Sequence, residues 1–270
     1  MFSPYYALAR RRGRPDPENF CALNVALYGA TGHRWTMTER PAGAVRRSGT
    51  VFEVGPSALA WEGDELVFRI NEVTVPWPSR IRGTIRVHPV TPTGRAFTLT
   101  PDGRHRWWPI APEARVEVAL ERPALAWKGR GYLDANGGSE PLEDGFKHWH
   151  WSRAPLPDGT AILYDMVDAG GENRALALRI GASGAVDHVP VPETVPLPTT
   201  FWRMRRATRA EGEARVTKTL EDAPFYARSL VTSTLFGAAT TAVHESLSLD
   251  RFRQPWVQLM LPFRMPRARR

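Results

Sequence analysis

Chain breakers set the limits of this fold. The 24 prolines and 22 glycines recur every few residues. Each proline removes a backbone donor, and each glycine weakens a helix interior by about 1 kcal/mol relative to alanine. Long helices are thereby excluded. Between the breakers lie short alternating or β-branched runs: Thr50–Val54, Glu65–Val73, Ile81–Val87, Ala96–Thr100, Arg115–Leu120, Thr160–Asp165, Arg174–Ile180, Ala214–Leu220 and Thr241–Leu249. Turn signals separate them, among them Glu62-Gly63-Asp64, Pro101-Asp102-Gly103, Pro157-Asp158-Gly159, Ala169-Gly170-Gly171 and Ala182-Ser183-Gly184. Period-two runs with such turns predict an all-β protein of antiparallel barrels or sandwiches.

A length of 270 residues with 42% hydrophobic content supports a large buried core. The polar, breaker-rich stretch Gly137–Gly145 has strands on both sides, which predicts two β domains, residues 1–138 and 139–270, each near the size of a lipocalin-type barrel. The proline-rich run Val189–Pro198 is expected to be an extended surface crossing. No run of 18 apolar residues occurs; the best candidate, Leu230 to Val243, is interrupted by Thr232, Ser233, Thr234, Gly237, Thr240 and Thr241. A membrane span is therefore not expected. The start Met1-Phe2-Ser3-Pro4-Tyr5-Tyr6 lacks a signal-peptide pattern, and the lone Cys21 allows no internal disulfide. Both observations point to a cytoplasmic or cytoplasm-facing setting.

The net charge is +8, and among 36 basic residues only Lys128, Lys147 and Lys218 are lysines. Arginine excess has two readings. One is a GC-rich genome. The other is attraction to an anionic surface, for which Arg10-Arg11-Arg12-Gly13-Arg14 and Arg267-Ala268-Arg269-Arg270 would suit lipid headgroups at about 1 kcal/mol per basic residue. Nucleic acid is not expected as a partner, because the basic residues are scattered among acids and no nucleic-acid motif is present.

Several chemistries drop out early. Of seven histidines only His148 and His150 are close in sequence; they alternate with Trp149 and Trp151, and no further His or Cys stands nearby. No metal is expected there. Phosphate loops, a serine nucleophile elbow and a zinc-protease motif are missing from the sequence. Two i, i+2 pairs remain, each placing both side chains on one strand face: His105 with Trp107, and Tyr132 with Asp134. If both face one barrel interior, they supply an acid, an imidazole and two aromatic rings. A desolvated carboxyl holds its proton to higher pH and can donate it to a weak base. Desolvated aromatic faces stabilise a cation by about 2 kcal/mol each. A histidine can orient the acid or deprotonate a water. That set describes cofactor-free addition of water to an alkene. The plainer alternative is that Asp134, ahead of Asn136-Gly137-Gly138, is a turn-entry residue bonded to its own backbone. Trp149 and Trp151 read as core or cavity lining. Glu245 shares a strand face with Val243, Leu247 and Leu249, where it is a buried carboxylate or the partner of an arginine.

At these residues the chain resembles the carotenoid 1,2-hydratases of phototrophic bacteria, also called hydroxyneurosporene synthases. The resemblance is carried by Cys21-Ala22-Leu23-Asn24-Val25-Ala26-Leu27-Tyr28-Gly29, Trp35-Thr36-Met37-Thr38-Glu39-Arg40, His105-Arg106-Trp107-Trp108-Pro109-Ile110-Ala111-Pro112, Gly131–Phe146, Pro224-Phe225-Tyr226-Ala227-Arg228-Ser229 and the segment from His244 to Phe252. It implies a two-domain, lipocalin-like β protein lying peripherally on the cytoplasmic side of a membrane. The implied activity is hydration of the terminal 1,2 double bond of acyclic carotenoids such as neurosporene and lycopene, with no cofactor. The implied catalytic set falls on His105, Trp107, Tyr132 and Asp134. Trp108, Trp149, Trp151, Asn136 and Glu245 are expected around the substrate. His148 and His150 depart from the acidic or small polar residues expected at those positions. The pattern of Tyr132, Asn136 and Gly138 followed by Trp149 and Trp151 is also similar to tocopherol cyclases, which protonate a prenyl double bond. A non-catalytic carotenoid carrier and a cyclase are the competing readings of such a cavity.

Overall fold

The computed structural model describes residues 2–29 and 33–268; Arg269 and Arg270 of the basic tail lie outside them. The chain forms two compact units that are not consecutive in sequence. Unit 1 comprises Met1–Val90, Ala114–Gly131 and Gln258–Arg270, and unit 2 comprises Thr91–Glu113 and Tyr132–Val257.

Unit 1 opens with helix α1, Pro4–Arg10, whose first turn is capped by the Ser3 hydroxyl accepting from the Tyr6 amide at 2.9 Å. Two short ladders follow, β1 (Cys21–Ala22) with β4 (Glu39–Arg40) and β2 (Val25–Leu27) with β3 (Arg34–Thr36). A meander then runs through β5 (Val45–Arg47), β6 (Val51–Val54), β7 (Ser57–Glu62), β8 (Glu65–Val73) and β9 (Arg80–Pro89), each strand antiparallel to the one before. The later part of a long strand, β11 (His105–Arg122), pairs with β9 from Ala114 onward. Alternation turns Leu23, Val25, Ile70, Ile81, Val118 and Leu120 into one apolar core. The buried Glu72 is satisfied within this unit by Arg40 at 2.9 Å and Ser57 at 2.8 Å.

Unit 2 holds β10 (Phe97–Thr98), the first residues of β11, the end of β12 (Leu125–Gly138) and a seven-stranded antiparallel sheet among the described residues. Its strands are β13 (Phe146–Leu156), β14 (Gly159–Asp168), β15 (Asn173–Gly181), β16 (Val186–His188), β19 (Arg215–Asp222), β20 (Tyr226–Leu235) and β21 (Ala238–Ser248), in the order β16-β15-β14-β13-β21-β20-β19. The separate ladder β17 (Thr194–Leu197) with β18 (Arg206–Arg209) gives part of the proline-rich run a strand partner. Short helices α2 (Leu142–Gly145), α3 (Leu249–Phe252) and α4 (Pro255–Met260) complete the element order. Gly159 to Tyr164 of β14 are buried without interruption, the pattern of a strand covered on both faces. On one face Ala154, Leu156, Ala161, Leu163, Ala177, Leu235 and Ala242 form an apolar cluster.

The expected all-β architecture holds, and the strand centres fall where the alternation put them. The largest difference is β11. The sequence suggests a separate strand over Arg115–Leu120, set apart from His105 and Trp107, yet all of them lie on one 18-residue strand. Pro109 and Pro112 lie between the β10 ladder, which pairs Arg106 and Trp107, and the β9 ladder, which starts at Ala114, so neither ladder loses a donor to them; their carbonyls accept from Thr93 Oγ1 at 2.6 Å and Arg153 Nη2 at 2.9 Å. A second difference is the Asn136-Gly137-Gly138 stretch. It is not a turn; β12 stays extended through Gly138.

Candidate functional site

The site is built within unit 2 from the start of β11, the end of β12 and one face of the seven-stranded sheet. β12 pairs with β11. On β11, period-two alternation buries His105 and Trp107 and leaves Arg106 and Trp108 outside. On β12, Tyr132 and Asp134 share a face. The Asp134 carboxyl is the focus of the contacts: its Oδ2 accepts from Trp107 Nε1 at 2.8 Å and from the Tyr132 hydroxyl at 3.1 Å. Three of the four residues expected to carry chemistry therefore meet at one oxygen.

Burial raises the pKa of the Asp134 carboxyl; the Trp107 and Tyr132 donors pull it partly back, and the nearby charge of Glu245 adds to the rise. The Tyr132 phenol is also pushed up, by burial first and then by the carboxylate beside it, so it stays a neutral donor. Trp107 is completely enclosed, tilted against Phe97 at 5.5 Å and edge-on to Tyr164 at 5.6 Å between ring centroids. Its N–H thus has a fixed direction, and that direction is Asp134.

The floor of the site is β13 with its neighbours. Trp151 stands directly between Tyr164 of β14 and Glu245 of β21, and Trp149 between Met166 and Leu247, so these side chains share one face. Trp151 packs on the Tyr132 ring at 5.3 Å, and the Arg153 guanidinium lies 6.0 Å over the same ring. Glu245 receives Arg228 from β20, Nε at 2.9 Å and Nη2 at 2.7 Å on one oxygen. The guanidinium identifies the partner that the sequence left open.

His105 occupies a different position. Its Nε2 lies 3.3 Å from Glu140 Oε1, whose other oxygen accepts from Arg104 Nη1 at 2.8 Å. Its ring packs on Phe146 at 4.9 Å, and an aromatic series Phe146–Trp149–Tyr164–Trp107 runs from there to the ring that holds Asp134. Two glycines make room for the imidazole. A Cβ at Gly138 would fall 2.9 Å from His105 Nδ1, and one at Gly145 would fall 2.3 Å from Nε2. Gly138 is a close-approach glycine, not a turn glycine.

Asn136 and Trp108 are exposed, Trp108 on the strand face opposite Trp107. Their exposure separates them from the enclosed carboxyl. His148 and His150 lie on the sheet face opposite Trp149 and Trp151. His150 Nδ1 is 3.1 Å from Ser246 Oγ, and its ring stacks on His244 at 5.9 Å; His244 Nε2 donates to the Ala207 carbonyl at 2.9 Å. Burial pushes His150 down to about 4 and His244 down to about 3, with each neighbouring imidazole adding to the fall, so both rings are neutral near pH 7. Sequence reasoning passed over Glu140, Tyr164 and Arg228. Tyr164 had a signal, since it alternates with Ile162 and Met166 on a predicted strand. Glu140, inside a breaker-rich segment, had none.

The centre of this arrangement is a half-buried carboxyl held by two aromatic donors in a large antiparallel β fold. Comparison with known proteins gives the family. The carotenoid hydratase CrtC model matches residues 1–270, and the chain belongs to that family. The acyclic carotenoid 1,2-hydratase of Thiocapsa roseopersicina is 60% identical over 271 residues, spanning 99% of this chain and 67% of that one. The enzyme of the same description from Cereibacter sphaeroides is 41% identical over 270 residues, spanning 99% and 95%. Among solved structures, an AttH from Nitrosomonas europaea superposes with a TM-score of 0.56 at 18% identity, over 84% of this chain and 80% of that one. That likeness concerns the fold alone.

Proposed function

We propose that this chain is an acyclic carotenoid 1,2-hydratase, adding water across the terminal double bond of substrates such as neurosporene and lycopene to leave a tertiary alcohol at C-1. Membership of the hydratase family and the hydratases named at up to 60% identity support the activity. The observation that carries the chemistry is the Asp134 carboxyl, half-buried, desolvated and tied at Oδ2 by two donors.

With Oδ2 occupied by Trp107 and Tyr132, Oδ1 is the oxygen that carries the proton. Asp134 gives that proton to C-2, and the positive charge develops on C-1, where it is tertiary. As the proton leaves, negative charge grows on a carboxylate that already has two hydrogen bonds waiting for it. Such preorganised donors act where charge develops and cost no rearrangement at that moment. Trp151, packed on the Tyr132 ring at 5.3 Å, offers an aromatic face to the cation, and such a desolvated face stabilises it by about 2 kcal/mol. His105, bridged to Glu140, backs the series Phe146–Trp149–Tyr164–Trp107 and so helps orient the acid through Trp107. Asp134→Asn keeps the shape and the acceptor but has no proton to give. Its hydration rate should fall by several orders of magnitude while the thermal unfolding curve stays cooperative. Most of the activity surviving in that variant would refute the assignment.

The substrate dissolves in membranes, and the chain reaches it there as a peripheral protein on the cytoplasmic face. No helix among the described residues is long and apolar enough to cross a bilayer. In unit 2, Phe201 is 84% exposed and edge-on to Trp202 at 5.8 Å, and Trp202 stacks on Trp256 at 6.1 Å. Arg203 and Arg205 are exposed beside these rings. An aromatic cluster edged by arginines suits the boundary between acyl chains and anionic headgroups. Phe201→Ser should reduce flotation with anionic vesicles; unchanged flotation would remove this surface from the reading.

A further inference from the structure

Hydration needs two reacting groups, and Asp134 accounts for only one. Something must hold the water that captures the cation and accept its proton. We propose that Glu245, held by Arg228 and joined by the indole N–H of Trp151, is that second group. The inference rests on the hydration reading above.

Three observations carry it. First, Glu245 sits directly opposite Trp151 in the ladder, on the sheet face that holds Tyr164 and packs on Tyr132 through Trp151, and its charge reaches the Asp134 carboxyl. Second, Arg228 meets Glu245 Oε1 with both Nε and Nη2, which fixes the carboxylate through one of its two oxygens. Third, Trp151 Nε1 is buried and has no hydrogen-bond partner among the described residues. A buried N–H needs an acceptor, and a leftover one is seldom accidental. A water accepting from Trp151 Nε1 and donating to Glu245 is held with a lone pair free to attack. The site then has two carboxyl groups in contrasting settings, Asp134 enclosed by aromatic donors and Glu245 paired with a guanidinium. Such contrasts are how one site separates an acid from a base.

The step balances without an added reagent. The π electrons of C-1=C-2 form the new C-2–H bond with the Asp134 proton. A lone pair of water forms the C-1–O bond, and the O–H bond that breaks leaves its proton on Glu245. Proton transfer through solvent from Glu245 to Asp134 resets both groups, and the sum is one water added.

Hydrogen exchange at C-2 separates the two roles. In D2O, Asp134 delivers a deuteron to C-2. The cation then either takes up water or loses a proton and returns to alkene, now labelled. Wild-type protein, Glu245→Gln, Trp151→Phe and Asp134→Asn are incubated with lycopene in liposomes in D2O, and product and recovered substrate are analysed by mass spectrometry. Glu245→Gln should lower hydrate formation by about 100-fold, the usual size of a general-base effect, while recovered lycopene still gains deuterium. Trp151→Phe, which keeps the ring and loses the N–H, should show the same split with a smaller loss. Asp134→Asn should show neither hydrate nor label. Hydration by Glu245→Gln at the wild-type rate overturns the proposal. So does a loss of label in parallel with hydration in a folded Glu245→Gln, because the residue would then serve the proton donor. Should Glu245→Gln not fold, Trp151→Phe decides by the same two criteria. A wild-type protein that makes no hydrate refutes the hydratase reading instead.

Discussion

Tyr132→Phe isolates the hydrogen bond that best tests the acid site. The substitution keeps the ring, its packing on Trp151 at 5.3 Å and the Trp107 donor, and removes one O–H held 3.1 Å from Asp134 Oδ2. A hydrogen bond to a charged group contributes about 1.5–3 kcal/mol. If the proton is about half transferred at the transition state, about half of that is lost, near 1 kcal/mol, or roughly fivefold in rate at 1.36 kcal/mol per decade. The same bond favours the ionised carboxyl, so its removal lets the Asp134 pKa climb further above the ordinary carboxylate value. Catalysis needs the protonated form, which is lost as pH rises through that value. The variant should therefore be slower at its optimum yet keep its activity to higher pH. Initial rates of hydrate formation measured across the acid-to-alkaline range would show both effects. A falling limb that moves to lower pH would refute the reasoning. So would a limb and a rate that both stay unchanged, since the hydroxyl would then not support the carboxyl.

Gly145→Ala places a methyl 2.3 Å from His105 Nε2, which must swing away from Glu140; overpacking of this kind costs about 1–3 kcal/mol, so a lower melting temperature and a lower hydration rate should appear together, and a melting curve equal to wild type would contradict the close fit. The pair His150 and His244 predicts the acid limit of stability. Their folded-state values lie at about 4 and about 3, below the ordinary 6.5, so the unfolded chain binds more protons in between. The stability tied to the neutral rings is intact above 6.5 and drains as pH falls through those values. His150→Gln should move the acid unfolding midpoint, followed by tryptophan fluorescence, to lower pH; a midpoint that stays put would show that these rings do not govern it.

The sequence made the strands legible because period-two alternation is local, and so were the two i, i+2 pairs. What joins them is not local. Nothing in the spacing of His105 and Trp107 reveals that the indole N–H, not the ring face, meets Asp134. That contact depends on how β11 and β12 pair across an 18-residue strand that two prolines should have broken. The breaker-rich segment hid more. Gly138 and Gly145 look like turn residues, but they are small because an imidazole lies against both. Glu140 is unremarkable in that segment until the fold brings it to His105. His148 and His150 share a stretch with Trp149 and Trp151, and alternation sends the two pairs to opposite faces of β13. The alternation was visible from the start; which face would hold the carboxyl was not.

The last segment of unit 1 lies far along the chain from the strands it supports. Arg267 pairs with the enclosed Glu39 and lies 4.7 Å over the Phe20 ring, while Glu39 exchanges backbone hydrogen bonds of 2.9 Å with Pro266 and Ala268. A ribosome must therefore pass Ala268 before the first strands gain these partners. Until then Glu39 has neither its cation nor its neighbouring backbone, and the amino-terminal residues wait unpaired. Removing Pro266 to Ala268 would accordingly be felt first more than 200 residues away in sequence, in β1 and β4.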